Sequence, residues 1–378
     1  MADLFDYLHW RGDLPFSQNP PNNVDALIFS ALSYIRFGGM VEQHPDLPVN
    51  LRDAAAFFFT LSDQEDRIRV KNDLNLLRAA AQTRRFGETQ LYHYQDILLQ
   101  KEETQFAAVT FLLNDGSAFL AFRGTDYSLV GWKEDFNMSF WETVPSQCLA
   151  LEYTREVASK CLVPLRMGGH SKGGNIAIYA AIKAEEEIQK RILGVYNNDG
   201  PGFREHLMQD PSYKEMVPRL HTFVPQSSVI GMLLEHEEPY IIIKSKQLGL
   251  LQHEIYSWEL DGPCFVPMEE ISANSHFLNL TIKNWMAELT QQERNEVVDT
   301  LYDFLTIGNV ESAKEILHPK NIKNYFKTLT GDDKLRRILS GEFMNLIEAA
   351  IKTQSQINKS DRLMLASPDP STPWPDDE

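Results

Sequence analysis

Gly168-Gly169-His170-Ser171-Lys172-Gly173-Gly174-Asn175-Ile176-Ala177 is the stretch that decides the fold of this chain. It sets Gly169-x-Ser171-x-Gly173 between an apolar run, Leu162 to Met167, and an alanine-rich run carrying Ile176, Ala177, Tyr179, Ala180, Ala181 and Ile182. A serine on a sharp strand-to-helix turn has its hydroxyl pushed outward, and small residues two positions either side keep the turn clear of neighbouring backbone. The apolar runs predict the strand and the helix that such a turn needs. The spacing therefore predicts a nucleophile elbow, with Ser171 as the nucleophile of a serine hydrolase. A glycine-rich turn that only packs a helix on a sheet is the competing reading.

Outward from that turn, the chain alternates between strand-like and helix-like segments. Asn23 to Phe37 carries apolar residues at helical spacing, and a more polar helical stretch runs from about Asp63 to Ala81. Phe106 to Leu113 and Ser117 to Phe122 flank Asn114-Asp115-Gly116 and predict a hairpin. After the elbow come strand-like runs at Ile192 to Tyr196, Leu220 to Val224 and Tyr240 to Ile243. Strands alternating with helices predict an α/β fold with a mostly parallel sheet, and ligands at the carboxyl ends of its strands. Residues 1–285 are expected to form this α/β-hydrolase domain. Residues 286–357 read as a C-terminal helical appendage that opens with a capping box at Thr290-Gln-Gln-Glu293, has a stop at Gly308 and includes an amphipathic stretch, Leu335 to Ile351. Residues 358–378 read as a disordered acidic tail with Pro368, Pro370, Pro373 and Pro375.

Composition narrows the function. Lys and Arg total 36 against 53 Asp and Glu, a net charge of −17, which repels nucleic acid and anionic membranes. No apolar run approaches a membrane span, and Met1 to Trp10 lack a basic leader region, so the expected location is cytoplasmic. The three cysteines, Cys148, Cys161 and Cys264, are widely spaced and read as small packing residues rather than a disulfide or zinc framework.

A serine hydroxyl attacks only when a base takes its proton, so Ser171 needs a histidine oriented by a carboxylate, in the chain order Ser, acid, His. Asp199 is the candidate acid, because Ile192 to Tyr196 runs directly into Asn197-Asn198-Asp199-Gly200-Pro201-Gly202 at a strand end. The later run Leu220 to Val224 ends in Pro225-Gln226-Ser227-Ser228, with no carboxylate; Glu235 and Asp261 are weaker candidates. His253, after the Tyr240 to Lys244 segment, is the candidate base, with His236 and His276 competing. His170 should point away from the chemistry and pack. For the negative oxygen of a tetrahedral intermediate, the Lys172 N–H is the first candidate donor. Thr125 in Phe122-Arg123-Gly124-Thr125 is the second, with Arg123 in a supporting structural role. Such a triad needs no metal or organic cofactor.

Phe122-Arg123-Gly124-Thr125 together with Gly169-His170-Ser171-x-Gly173-Gly174 resembles the paired signature of the class 3 lipases. More closely, Tyr7-Leu8-x-Trp10-Arg11-Gly12-Asp13 and Gln252-His253-x-x-x-Ser257-Trp258 resemble an uncharacterised bacterial family of Mbeg-like α/β-hydrolases. The resemblance implies a lipase-like α/β-hydrolase fold with Ser171 as nucleophile and the Arg-Gly-Thr stretch at the oxyanion hole; it brings no substrate. Two departures from the lipase pattern stand out. Class 3 lipases carry their acid after the next-but-one strand, where this chain has Gln226-Ser227-Ser228. They also follow the serine with an apolar residue, where Lys172 puts a cation at the rim or pairs with a nearby acid.

The expected substrate is a small acyl ester or lipid-like molecule, such as a lysophospholipid or thioester. A non-catalytic binding or scaffold module, and a peptidase or acyltransferase using the same residues, are the alternatives.

Overall fold

The computed structural model describes residues 2–41, 47–126 and 128–305. Eight strands form one sheet in chain order: β1 (Val49–Asn50), β2 (Gln90–Leu99), β3 (Thr104–Leu112), β4 (Ala118–Phe122), β5 (Leu165–His170), β6 (Ile192–Asn198), β7 (Leu220–Pro225) and β8 (Tyr240–Ile243). Neighbours from β1 to β4 are antiparallel, and those from β4 to β8 are parallel. This is the α/β-hydrolase architecture that the elbow and the alternating runs predict.

Strand order explains how the faces are covered. Parallel strands laid down consecutively in one direction, each joined to the next by a right-handed crossover, put every crossover helix on the same face. The helices Pro145–Lys160 and Lys172–Lys183 lie there, burying Tyr153, Val157, Ile176 and Ala180 against Phe122, Leu120 and Met167. The opposite face would stand bare without the N-terminal helices Leu4–Arg11, Asn23–Leu32, Leu51–Phe58 and Lys71–Gln82, whose Leu27, Phe29, Phe58 and Leu77 cluster with Phe111, Phe119 and Ala121. Both faces of β4 are therefore buried, which is why Ala118-Phe-Leu-Ala-Phe122 reads as a continuous apolar run: Phe119 and Ala121 face one core, Leu120 and Phe122 the other.

Several boundaries differ from the sequence reading. β5 begins at Leu165 and runs through Gly168-Gly169-His170, while Leu162 is 83% exposed; the glycines belong to the strand itself. The polar helix begins at Lys71, because the Asp73 carboxylate caps Arg69 N and Val70 N, and Gln64–Arg67 makes a separate 3₁₀ turn. β2 has no counterpart among the strand-like runs of the sequence. Cys148 and Cys264 are exposed rather than packed.

The helix Ala273–Glu288 crosses residue 285, and Gln291–Leu305 follows it with the Thr290/Glu293 capping box formed. The Gly308 stop, the Leu335 to Ile351 stretch and the acidic tail lie outside the described residues. Among the described residues, no helix is long and apolar enough to cross a membrane.

Candidate active site

Ser171 stands between β5 and the Lys172–Lys183 helix with φ 58° and ψ −135°, a conformation that non-glycine residues rarely hold and that surrounding structure must enforce. Three backbone contacts do so. Ser171 N donates to Asn198 O at 3.0 Å, Gly174 N donates to Ser171 O at 2.9 Å, and Gly173 packs so tightly that a Cβ there would sit 2.2 Å from Phe122 O. Gly169 faces the same crowding, with a Cβ landing 2.3 Å from the Gly173 carbonyl carbon. The two glycines are thus required by close approach of the turn to itself and to the end of β4. Ser171 keeps 9% of its surface exposed, and among the described residues no group hydrogen-bonds its Oγ.

Asp199 and His253 come together. Asp199 follows β6 at φ 57°, is 1% exposed, and its N donates to Phe223 O at 2.8 Å. Its Oδ2 lies 2.6 Å from His253 Nδ1. His253 ends a 3₁₀ turn, Gly249–His253, beyond β8. Its ring packs tilted against that of His170 at 4.4 Å between centroids, and His170 is the residue before Ser171.

His170 does more than pack. Its Nε2 lies 2.8 Å from His253 O and its Nδ1 2.8 Å from Tyr34 Oη, so it ties the His253 loop to the end of β5. Burial, then the neighbouring His253 and Arg69, hold the His170 ring well below the ordinary histidine pKa and keep it neutral. Arg69 in turn caps the Tyr34 ring at 4.6 Å and forks onto Glu254 at 2.8 and 2.9 Å.

On the other side of Ser171, β4 ends in Arg123-Gly124-Thr125. A Cβ on Gly124 would meet His170 O at 2.4 Å and Ser171 Cβ at 3.2 Å, so this turn lies directly against the elbow. Arg123 is buried and forks onto Asp96 at 2.6 and 3.1 Å, a structural role. Thr125 Oγ1 donates to Asp135 Oδ1 at 2.6 Å. Asp135 is half-buried, and loss of water around it, helped by Glu134, pushes its carboxyl up to about 6 against the opposing pull of Lys172 and Thr125.

Lys172 is not at the rim. Its Nζ is buried 2.8 Å from Glu134 Oε2 and donates to Gln105 O and Oε1 at 2.7 and 3.0 Å. Glu134 also accepts from Gln105 N and Ser146 N, which satisfies both of its oxygens. A buried ion pair persists only when its hydrogen-bonding capacity is filled in this way.

The competing residues lie elsewhere. His236 pairs with Glu238 at 2.9 Å and with Gly231 O, His276 is exposed on the Ala273–Glu288 helix, Glu235 pairs with Lys283, and Asp261 is exposed. Asp135 and Tyr34 escape a reading of the sequence, because each comes from a segment with no catalytic pattern, and Ser228 escapes because its turn stands out only for the carboxylate it lacks.

The Mbeg1-like family matches residues 80–303, more than half of the chain, and the match contains Ser171, Asp199 and His253. No curated protein matches. Among solved structures, the chain is similar to a mutant form of MDLA from Penicillium cyclopium at 16% identity, covering 58% of this chain and 78% of that one with a TM-score of 0.34. It is also similar to the Rhizomucor miehei lipase propeptide complex at 14% identity, covering 58% of this chain and 67% of that one with a TM-score of 0.35. A third similar structure is M37 lipase, at 12% identity, covering 86% of this chain and 97% of that one with a TM-score of 0.36. With its elbow, its sheet and the family match in hand, the chain belongs to the Mbeg1-like family.

Proposed function

We propose that this protein is a serine-dependent ester hydrolase in which Ser171 is the nucleophile, His253 the general base and Asp199 the acid. The observation that carries this reading is the 2.6 Å contact of His253 Nδ1 with Asp199 Oδ2, on a loop whose imidazole packs against His170 beside the elbow. That contact assigns the Nδ1 proton to the Asp199 side and leaves Nε2 to accept the Ser171 proton. Ser171 Oγ attacks the acyl carbon, and the displaced proton passes through His253 to the leaving alcohol or thiol. Water then attacks the acyl-serine, gives its proton to His253 and frees the carboxylic acid, regenerating the hydroxyl. The Lys172 N–H, first in its helix, and the Thr125 N–H are the donors for the tetrahedral oxygen. The Ser171 hydroxyl is not yet bonded to His253, as is common in ligand-free sites whose catalytic hydrogen bonds tighten around substrate.

The substrate class is a small acyl ester or thioester without added negative charge, since Lys172 is consumed by Glu134 and the chain carries −17 overall. Turnover of p-nitrophenyl butyrate, a short acyl thioester and a peptide amide by the wild type and Ser171→Ala tests the proposal. Ester or thioester hydrolysis is expected, lost by at least about a thousandfold in Ser171→Ala. Peptide cleavage without ester cleavage would favour a peptidase. Absence of turnover in both proteins would favour a binding module that keeps the fold.

A further inference from the structure

The turn after β7 carries no carboxylate, yet it touches Asp199 and the residue that precedes His253. Ser228 Oγ lies 2.5 Å from Asp199 Oδ1, the oxygen not used by His253. Gly231 N donates to Ser228 Oγ at 2.9 Å, which fills an acceptor site on the hydroxyl and directs its single proton at the carboxylate. Gly231 also fits against the acid: a Cβ there would sit 2.2 Å from Asp199 Oδ1. One residue earlier, Ser227 N donates to Gln252 Oε1 at 2.7 Å, and Gln252 is fully buried next to His253. Gln252 is held in turn by Nε2 to Gln247 O at 2.9 Å and by Trp258 Nε1 donating to its own carbonyl at 2.8 Å. From outside, Ser275 Oγ of the Ala273–Glu288 helix hydrogen-bonds Ser228 O.

We propose that Ser228 is a positioning residue, which fixes the Asp199 carboxylate so that its other oxygen stays on His253 Nδ1; the proposal rests on the triad reading above. Two physical requirements meet at this hydroxyl. A carboxylate that is 1% exposed needs donors for both oxygens, and His253 supplies only one. A carboxylate bonded at one oxygen alone can also swing about its Cβ–Cγ bond, and a swing costs the base its orientation. Ser228, itself buried, answers both in a turn braced by Pro225 O, which accepts from Ser228 N at 2.9 Å.

A double-mutant cycle on p-nitrophenyl butyrate hydrolysis tests this, comparing wild type, Ser228→Ala, Asp199→Ala and the double variant. If Ser228 acts through Asp199, Ser228→Ala lowers kcat by about ten- to a hundredfold with KM little changed, the loss expected for a hydrogen bond to a charged group. In the Asp199→Ala background the same change has no further effect beyond about twofold. Equal losses in both backgrounds, or a Ser228→Ala enzyme as fast as wild type, would overturn the proposal. Should Ser228→Ala fail to fold, Ser228→Thr against Ser228→Val isolates the hydroxyl at nearly constant shape. The threonine enzyme is then expected to be at least about tenfold faster than the valine enzyme, and equal rates would count against the role. Ser171→Ala run alongside separates the two levels. Full activity there removes the enzyme reading itself, whereas an inactive Ser171→Ala beside an unaffected Ser228→Ala removes only the clamp.

Discussion

Asp199 Oδ2 lies 2.6 Å from His253 Nδ1, joining the end of β6 to the loop beyond β8, with Asp199 withdrawn from solvent and His253 partly open to it. That asymmetry suits an acid that only orients and a base that must meet substrate. Replacing Asp199 by Asn keeps the shape but lets the amide favour the wrong imidazole tautomer. The expected result is a loss of roughly 10³- to 10⁴-fold in kcat in a folded protein, read by steady-state kinetics beside circular dichroism. A loss smaller than about tenfold would mean that a different group orients the base.

Asp135 gives a pH dependence with a definite sign. Its carboxyl titrates at about 6 in the folded chain, against an ordinary value of 3.8. Between these values the unfolded chain has lost this proton while the folded chain still holds it. The group therefore lowers stability as pH rises through that window, and the cost is fully present above it. Asp135→Asn should stabilise the protein at pH 7.5 by up to about 3 kcal/mol, a ceiling set by about 1.4 kcal/mol for each pH unit between the two titration points. The gain should vanish near pH 4. Urea titrations at the two pH values measure it, and an equal effect at both would show that Asp135 is not the titrating group.

Lys172 and Glu134 form a closed buried pair, so its two halves cannot be lost independently. Lys172→Met leaves Glu134 buried without its counter-charge and should cost about 3–5 kcal/mol. Lys172→Met with Glu134→Leu should recover most of that. Because Nζ points into the protein, the variants that fold should show the same preference between neutral and anionic esters as wild type. A shift in that preference would place the cation at the mouth after all.

What the sequence makes legible depends on how local each signal is. The elbow, the hairpin and the aspartate at the end of β6 are each written in a few consecutive residues, and the order Ser171, Asp199, His253 follows from strand order. β2 escapes because the register shift between Tyr92 and Gln95, with His93 at φ 53°, breaks the alternation that marks a strand. The partner of Lys172 is invisible because Glu134 lies on the helix Leu129–Met138, far from Lys172 in the chain and without a local pattern that ties the two together. His170 departs from expectation for a related reason: its role is to meet the carbonyl of His253, and backbone acceptors leave no trace in side-chain patterns. The missing carboxylate at Gln226-Ser227-Ser228 can be seen; that the Ser228 hydroxyl faces Asp199 cannot.

Whether Ser171 is a nucleophile driven by His253 is decided by treating the protein with a fluorophosphonate and mapping the adduct by mass spectrometry in wild type, Ser171→Ala and His253→Ala. A single adduct on Ser171 is expected in wild type and none in Ser171→Ala, with labelling of His253→Ala slowed by at least about a hundredfold, as follows when a general base is removed. Adduct formation on another residue, or equal labelling rates with and without His253, would refute the triad.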